Sequence, residues 1–187
     1  MTDDIRVALQ VLRKGGVILY PTDTIWGIGC DATNVAAVKR IYEIKQRNDT
    51  RNMLVLLDTT ALLDRYIREV PPMAWDLAEL TDKPLTIIYP GAKNLAENLV
   101  ADDGTIGIRI VQDDFCRELI SQLRKPLVST SANISGKPWP ESFRNIDPVI
   151  FQRVDYVVKW RQEDHTKAKP SGVIKLGLHG EIEVIRP

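Results

Sequence analysis

Lys45, Arg47 and Arg51 place three cations within a few residues of one another. Val38, Ile41 and Lys45 are spaced by three and four, so Lys45 extends the apolar stripe of a helix at its end. Cations leaving one helix end can converge on a polyanion such as a triphosphate. The plainer alternative is that they complement the helix dipole and are solvated. At such an exit, loss of the Lys45 or Arg47 side chain is expected to leave no large cavity.

Strand parity supplies more polar groups. Over 105–110, Ile106, Ile108 and Ile110 share one face, while Thr105, Gly107 and Arg109 share the other. Gly107 there would let a ligand approach the backbone. Over 127–131, Ser129 and Ser131 share a face, and Asn133 keeps that parity if the chain stays extended. Small hydroxyls running into Ser-Ala-Asn-Ile-Ser-Gly suit an oxygen-binding rim, or simply a strand end that packs and turns. Ile182, Val184 and Arg186 also share parity, so Arg186 points where core side chains point, as an ion-pair plug or a ligand contact.

Other chemistries drop out. The chain has no His-Glu-x-x-His, Cys-x-x-Cys or Gly-x-Ser-x-Gly. Gly136-Lys137 lacks the glycine spacing of a phosphate-binding loop, and Gly27 and Gly29 lack a third glycine. The only histidines, His165 and His179, fall in a charged loop and a hairpin turn, so a nucleophile–histidine machine is excluded. No protein-held metal is expected. An enzyme made from these residues works by positioning and charge neutralisation.

The elements that must position them follow from periodicity and punctuation. A helix capped by Thr2 is stopped by Gly15-Gly16. Further helices are expected over 34–46, 60–69 and 72–80, and from Asp113 or Asp114 to 123. Strands are expected over 17–20, 53–57, 85–89, 105–110, 127–131, 155–159, 173–176 and 181–185, the last two as a hairpin. The polar stretch 161–169 reads as a mobile loop. Early alternation of strands with helices and a late hairpin suggest an α/β fold with a mixed sheet.

The chain is 187 residues long, with 25 Lys+Arg against 25 Asp+Glu and 44% hydrophobic residues. That suits one globular domain, 1–187, and excludes a broadly polybasic surface. Cys30 and Cys116 are too few for a disulfide framework and read as reduced thiols. No targeting signal or membrane-length apolar run occurs, so a soluble cytoplasmic protein is expected, with no membrane partner.

The segment Val17 to Cys30, containing Tyr20-Pro21-Thr22-Asp23-Thr24, resembles the opening of the YrdC-like family. Lys45-Gln46-Arg47 resembles its K-x-R signature, and Ser131-Ala132-Asn133 its S-x-N signature. The similarity runs from Gly15 to Arg186. It implies a twisted mixed sheet flanked by helices around a concave basic cleft. It also implies the synthesis of threonylcarbamoyl-adenylate and pyrophosphate from ATP, bicarbonate and L-threonine, with Mg²⁺. Other proteins of a threonylcarbamoyl-transfer machinery would then modify tRNA, and double-stranded RNA binding has been attributed to the family. An RNA-binding module without adenylation, or a paralogue using another carbamate, is the alternative. By the resemblance, Lys45, Arg47, Arg51, Ser131, Asn133, Trp139 and Arg186 would contact ATP, with Lys45 and Arg47 catalytic. Thr24, Arg109, Ser129 and Ser171 would hold threonine. The chain departs from the family pattern at Trp26, Asn48, Leu56, Lys83-Pro84-Leu85-Thr86 and Gly172. Trp26 for the usual Tyr would widen the pocket wall, and Leu56 stands where relatives carry a polar residue near threonine.

Overall fold

Short elements, each ended by an identifiable stop, build the chain. The computed structural model describes residues 1–46, 53–167 and 169–187. Helix α1 (Thr2–Arg13) buries Ile5, Ala8, Leu9 and Leu12; its cap is Met1, so Thr2 is the first helical residue and not the cap. Gly15 then adopts a φ of 77°, which ends the helix without a Cβ penalty. Strands β1 (Ile18–Tyr20) and β2 (Gly27–Gly29) follow. The Asn34 side chain accepts from Ala37 N and starts α2 (Val35–Lys45). After β3 (Leu54–Leu57), the expected helix over 60–69 breaks up into a 3₁₀ turn, Thr60–Leu62, and α3 (Leu63–Tyr66). Ile67 is extended and bridges to Ala92, because sheet pairing outcompetes another helical turn.

The chain continues through α4 (Pro72–Leu80), β4 (Leu85–Tyr89), β5 (Ile106–Ile110), α5 (Asp114–Leu123) and β6 (Leu127–Ser131). It ends with α6 (Pro148–Arg153), β7 (Tyr156–Val157), β8 (Gly172–Leu176) and β9 (Ile182–Arg186). Asp113 caps α5 by accepting from Cys116 N. Neither β2 nor α6 was expected from the sequence. The loop after β7 is pinned at Arg161, which donates to Asp113, Asp164 and the Thr22 carbonyl.

Among the described residues, nine strands form one mixed sheet in the order β7-β1-β2-β6-β3-β5-β4-β8-β9. Pairs β1–β7, β3–β5 and β4–β8 are parallel, and the others are antiparallel. Alternation divides the side chains between its two faces. Val17, Leu19, Ile28, Val55, Leu57, Ile87, Ile108 and Val128 pack with α2, α3 and α4 in the larger core. Ile18, Tyr20, Leu56 and Leu127 pack on the opposite face with α1 and α5. The sheet also carries a cleft, lined by residues of β2, β6, β3, β5, β4, β8 and β9.

Candidate active site

The cleft has a volume of about 1010 Å³. Gly27 of β2, Ser129 and Ser131 of β6, Leu54 of β3, Gly107 and Arg109 of β5, and Thr86 and Ile88 of β4 lie along its floor. The register explains the row: Leu54 sits between Ser129 and Gly107, and Gly107 is paired with Ile88. A Cβ on Gly107 would lie 3.3 Å from Thr86 Cγ2, so glycine keeps the floor low where ligand and backbone would meet. Thr24, Lys45, Asn133, Trp139, Ser171 and Arg186 also line it, so every expected site residue that is described faces one cavity. Arg47, Asn48 and Arg51 lie outside the described residues.

At one end, Lys45 is buried, as the apolar-stripe reading requires. Its Nζ donates to Ser131 O at 2.6 Å, Asn133 O at 2.8 Å and Asn133 Oδ1 at 3.2 Å. Ser131 Oγ also donates to Asn133 Oδ1, and Asn133 Nδ2 donates to the Lys137 carbonyl. Lys45 and the S-x-N segment are thus one hydrogen-bonded unit. This corrects the expectation that losing Lys45 leaves no cavity: it ranks among the largest fully buried side chains. Ser135, whose N donates to Lys45 O, has a buried Oγ with no partner among the described residues.

The turn that precedes β2 carries Thr24 into the cleft. Thr22 Oγ1 lies 3.0 Å from Thr24 Oγ1, donates to Ile25 O and accepts from Thr24 N. Cys116 Sγ donates to Pro21 O, Arg161 to Thr22 O and Gln112 N to Asp23 Oδ2. Arg109 Nη2 lies 2.9 Å from Asp23 Oδ1. The turn is therefore tied residue by residue to the junction of β5 and α5. Both thiols are buried, and burial pushes each well above the ordinary thiol range, so neither is a nucleophile at neutral pH.

At the far end, Thr86 Oγ1 and Ser171 Oγ are 2.8 Å apart and buried, and Arg186 Nε donates to Ser171 O at 2.8 Å. Thr86 lines the cleft but drew no attention in the sequence beyond its place in a departed motif. Arg186 corrects the parity argument. Ile174 pairs with Val184, but Val173 pairs with Arg186, so Ile185 is an extra residue in β9. That bulge moves Arg186 off the face of Ile182 and Val184, which are solvent-exposed and not core, and onto the cleft face with Val173. Burial, and secondarily the charge of Arg109, hold the Arg186 guanidinium below its ordinary value, so the two arginines face a common space.

Three of the departures from the family pattern fall off the cleft. Trp26 is in the larger core with its ring 4.8 Å from that of Phe143, Leu56 is fully buried in the smaller core, and Gly172 is off the lining. None of the three shapes the cavity wall. Among the described residues, the lining holds Lys45, Arg109 and Arg186 and no carboxylate. Such an arrangement can bind an anion at each end and hold two ligands in contact.

Comparison with known proteins agrees. The family model described as Sua5_yciO_yrdC, Telomere recombination, matches residues 10–187. A threonylcarbamoyl-AMP synthase of Pseudoalteromonas translucida is 33% identical over 181 residues, 95% of each chain. P. abyssi Sua5 complexed with L-threonine superposes with a TM-score of 0.86 and 26% identity, over 98% of this chain and 53% of that one. This chain thus spans about half the length of the P. abyssi protein. E. coli YciO superposes with a TM-score of 0.81 and 26% identity, over 100% of this chain and 89% of that one. With a cleft so placed on a sheet so ordered, and a match over nearly its whole length, the chain belongs to the Sua5/YciO/YrdC family.

Proposed function

We propose that the chain is an L-threonylcarbamoyladenylate synthase, making threonylcarbamoyl-AMP and pyrophosphate from ATP, bicarbonate and L-threonine for tRNA modification. The observation that carries this reading is one cavity with the Lys45–Ser131–Asn133 unit at one end and Arg109, Thr86, Ser171 and Arg186 at the other. A volume of about 1010 Å³ is at the upper end of the usual ligand-pocket range, as two adjacent substrates need.

The chemistry suits residues that position and neutralise. Condensation of the threonine amine with bicarbonate forms a C–N bond and releases water. A carbamate oxygen then attacks the α-phosphorus, and the bond to pyrophosphate breaks in line with it. Negative charge builds on the nonbridging and leaving oxygens, where fixed donors and cations stabilise it. Ser131, Asn133 and Ser135 supply polar groups at the nucleotide end, with Arg47 and Arg51 expected at the phosphates and Trp139 and Arg186 at the nucleotide. Thr24, Arg109, Ser129 and Ser171 hold threonine, Arg109 by a charge-assisted bond to its carboxylate. Lys45 fixes the S-x-N segment and adds its charge. Holding the reactants in contact supplies much of the rate, with no protein base required.

No group of three His, Cys, Asp or Glu that could hold a metal occurs among the described residues. With no carboxylate in the described lining, the residues fit magnesium that arrives on the triphosphate oxygens, whose charge it would offset. No helix among the described residues is long and apolar enough to cross a membrane, and the proposed setting is the cytoplasm. The product is a reactive mixed anhydride, so a transferase that hands its acyl group to tRNA is the proposed partner. The test is pyrophosphate release from ATP and bicarbonate with each common amino acid supplied in turn. Threonine should stimulate release above all others. Release no greater than in buffer ends this reading.

A further inference from the structure

Asp23 is not part of the cleft lining, yet it holds one of the cleft's buried cations. Arg109 is only 3% exposed, and Asp23 meets its Nη2 at 2.9 Å. No N–H points along that line: Asp23 Oδ1 and Arg109 Nε are both without hydrogen-bond partners among the described residues. The pair therefore holds charge against charge while leaving guanidinium donors unspent in a buried setting, where an unmade charged hydrogen bond is costly. Asp23 is itself fixed from the other side, since its Oδ2 accepts from Gln112 N at 3.2 Å. It sits next to Thr24, which lines the same cavity.

Two consequences follow from this placement. A guanidinium with a counter-ion on one edge is oriented, so its remaining N–H groups have a defined direction before any ligand arrives. A second cation, Arg186, faces Arg109 across the cleft, and a carboxylate behind Arg109 offsets their repulsion. The unspent N–H then suits a planar, singly charged carboxylate, which brings the acceptor that Asp23 does not align.

We propose that Asp23 is a positioning residue for substrate: it presents Arg109 to the carboxylate of the amino acid and couples that contact to Thr24. This rests on the synthase reading and adds to it a residue outside the cavity that sets selectivity for the amino-acid end. It acts through Arg109 and touches no substrate.

The experiment is a double-variant cycle on the intact chain, using Asp23→Asn, Arg109→Lys and the pair, with circular dichroism to check the fold. Threonine is titrated at saturating ATP, and ATP at saturating threonine. Asp23→Asn, which keeps an acceptor for Gln112 N, should raise the threonine KM about tenfold, the scale of one charged hydrogen bond, and leave the ATP KM within about twofold. In the Arg109→Lys background the same substitution should add little, because its effect runs through the guanidinium. Asp23→Glu, which keeps the charge, should recover part of the threonine affinity. If Asp23→Asn does not fold, Asp23→Glu with the threonine-induced shift in melting temperature gives the same comparison. An unchanged threonine KM, equal losses for both substrates, or full additivity with Arg109→Lys overturns the role of Asp23. A wild-type chain with no threonine-dependent pyrophosphate release overturns the synthase reading instead.

Discussion

The two ends of the cleft solve the same problem, holding cations beside an open cavity, in opposite ways. At the nucleotide end the Lys45 ammonium donates to three oxygens of the S-x-N segment, and the segment's own side chains bond to one another. At the amino-acid end Arg109 has a counter-ion but keeps a buried Nε without a partner among the described residues, and Arg186, assigned to the nucleotide, is set against it across the cavity. At the first end the cation is satisfied by the protein itself and so behaves as structure. The second carries free donors that a ligand must complete. Damage to Lys45 should appear as lost stability, and damage to Arg109 as lost affinity.

The largest expected effect tests that division directly. Lys45→Ala leaves a cavity and takes the Lys45 donor from the Asn133 carbonyl, and emptying so large a buried side chain with a stranded acceptor costs roughly 3–5 kcal/mol. At about 2–4 °C per kcal/mol for a chain of this size, the melting temperature should fall by about 6–20 °C. An unshifted melting curve would mean that the nucleotide end is not built as structure. Arg109→Lys comes next: it keeps charge but loses the planar fork, and should cost roughly 1–3 kcal/mol of threonine binding while sparing ATP. Equal loss of both affinities would erase the distinction between the ends.

Ser171→Ala should cost about 1–2 kcal/mol, because it strands the buried Thr86 hydroxyl 2.8 Å away. Adding Thr86→Val should then cost less than the sum of the two singles, read by chemical denaturation. Strict additivity would show that the hydroxyls do not act as a pair. The smallest effect is a reference point remote from both ends. Hydrogen bonding to Arg40 holds the Asp155 carboxyl below its ordinary value of 3.8. A folded pKa below the unfolded one means the contribution is full above about pH 4 and is lost as pH falls through the folded value. Since both side chains are 39% exposed, Asp155→Asn should cost at most about 1 kcal/mol near neutral pH, and progressively less as the pH falls below about 4.

How much of this was legible in the sequence depends on how local the signal was. The helix start near Asn34, the buried stripe ending at Lys45, Asp113 as a cap and the two faces of β5 are set by near neighbours, and the structure agrees with each. Strand β2 is three residues with glycine at both ends, too short for alternation to register. Its glycines matter because β2 is crossed closely: a Cβ on Gly29 would fall 2.3 Å from Val128 O. Thr86 looked like an ordinary strand residue, since its partner Ser171 is remote in sequence. Asp23 read as part of a turn for the same reason, its partners being Gln112 and Arg109. Trp26 and Leu56 looked like pocket residues by analogy and proved to be core, which only the sheet register could reveal.

The bulge in β9 gives the cleft a mechanical asymmetry. The floor strands are clamped between neighbours on both sides, so the width of the cavity there is set by spacings that cannot change without breaking ladders. Strand β9 has one neighbour only, and its spare residue at Ile185 acts as an expansion joint between the hairpin and Arg186. Slack taken up at that one position shifts Arg186 and the Ser171 carbonyl it holds, while the pairing of Ile174 with Val184 stays in register. The compliant wall of the cavity is therefore the one that carries a charge, and a ligand bridging Arg109 and Arg186 would load it first.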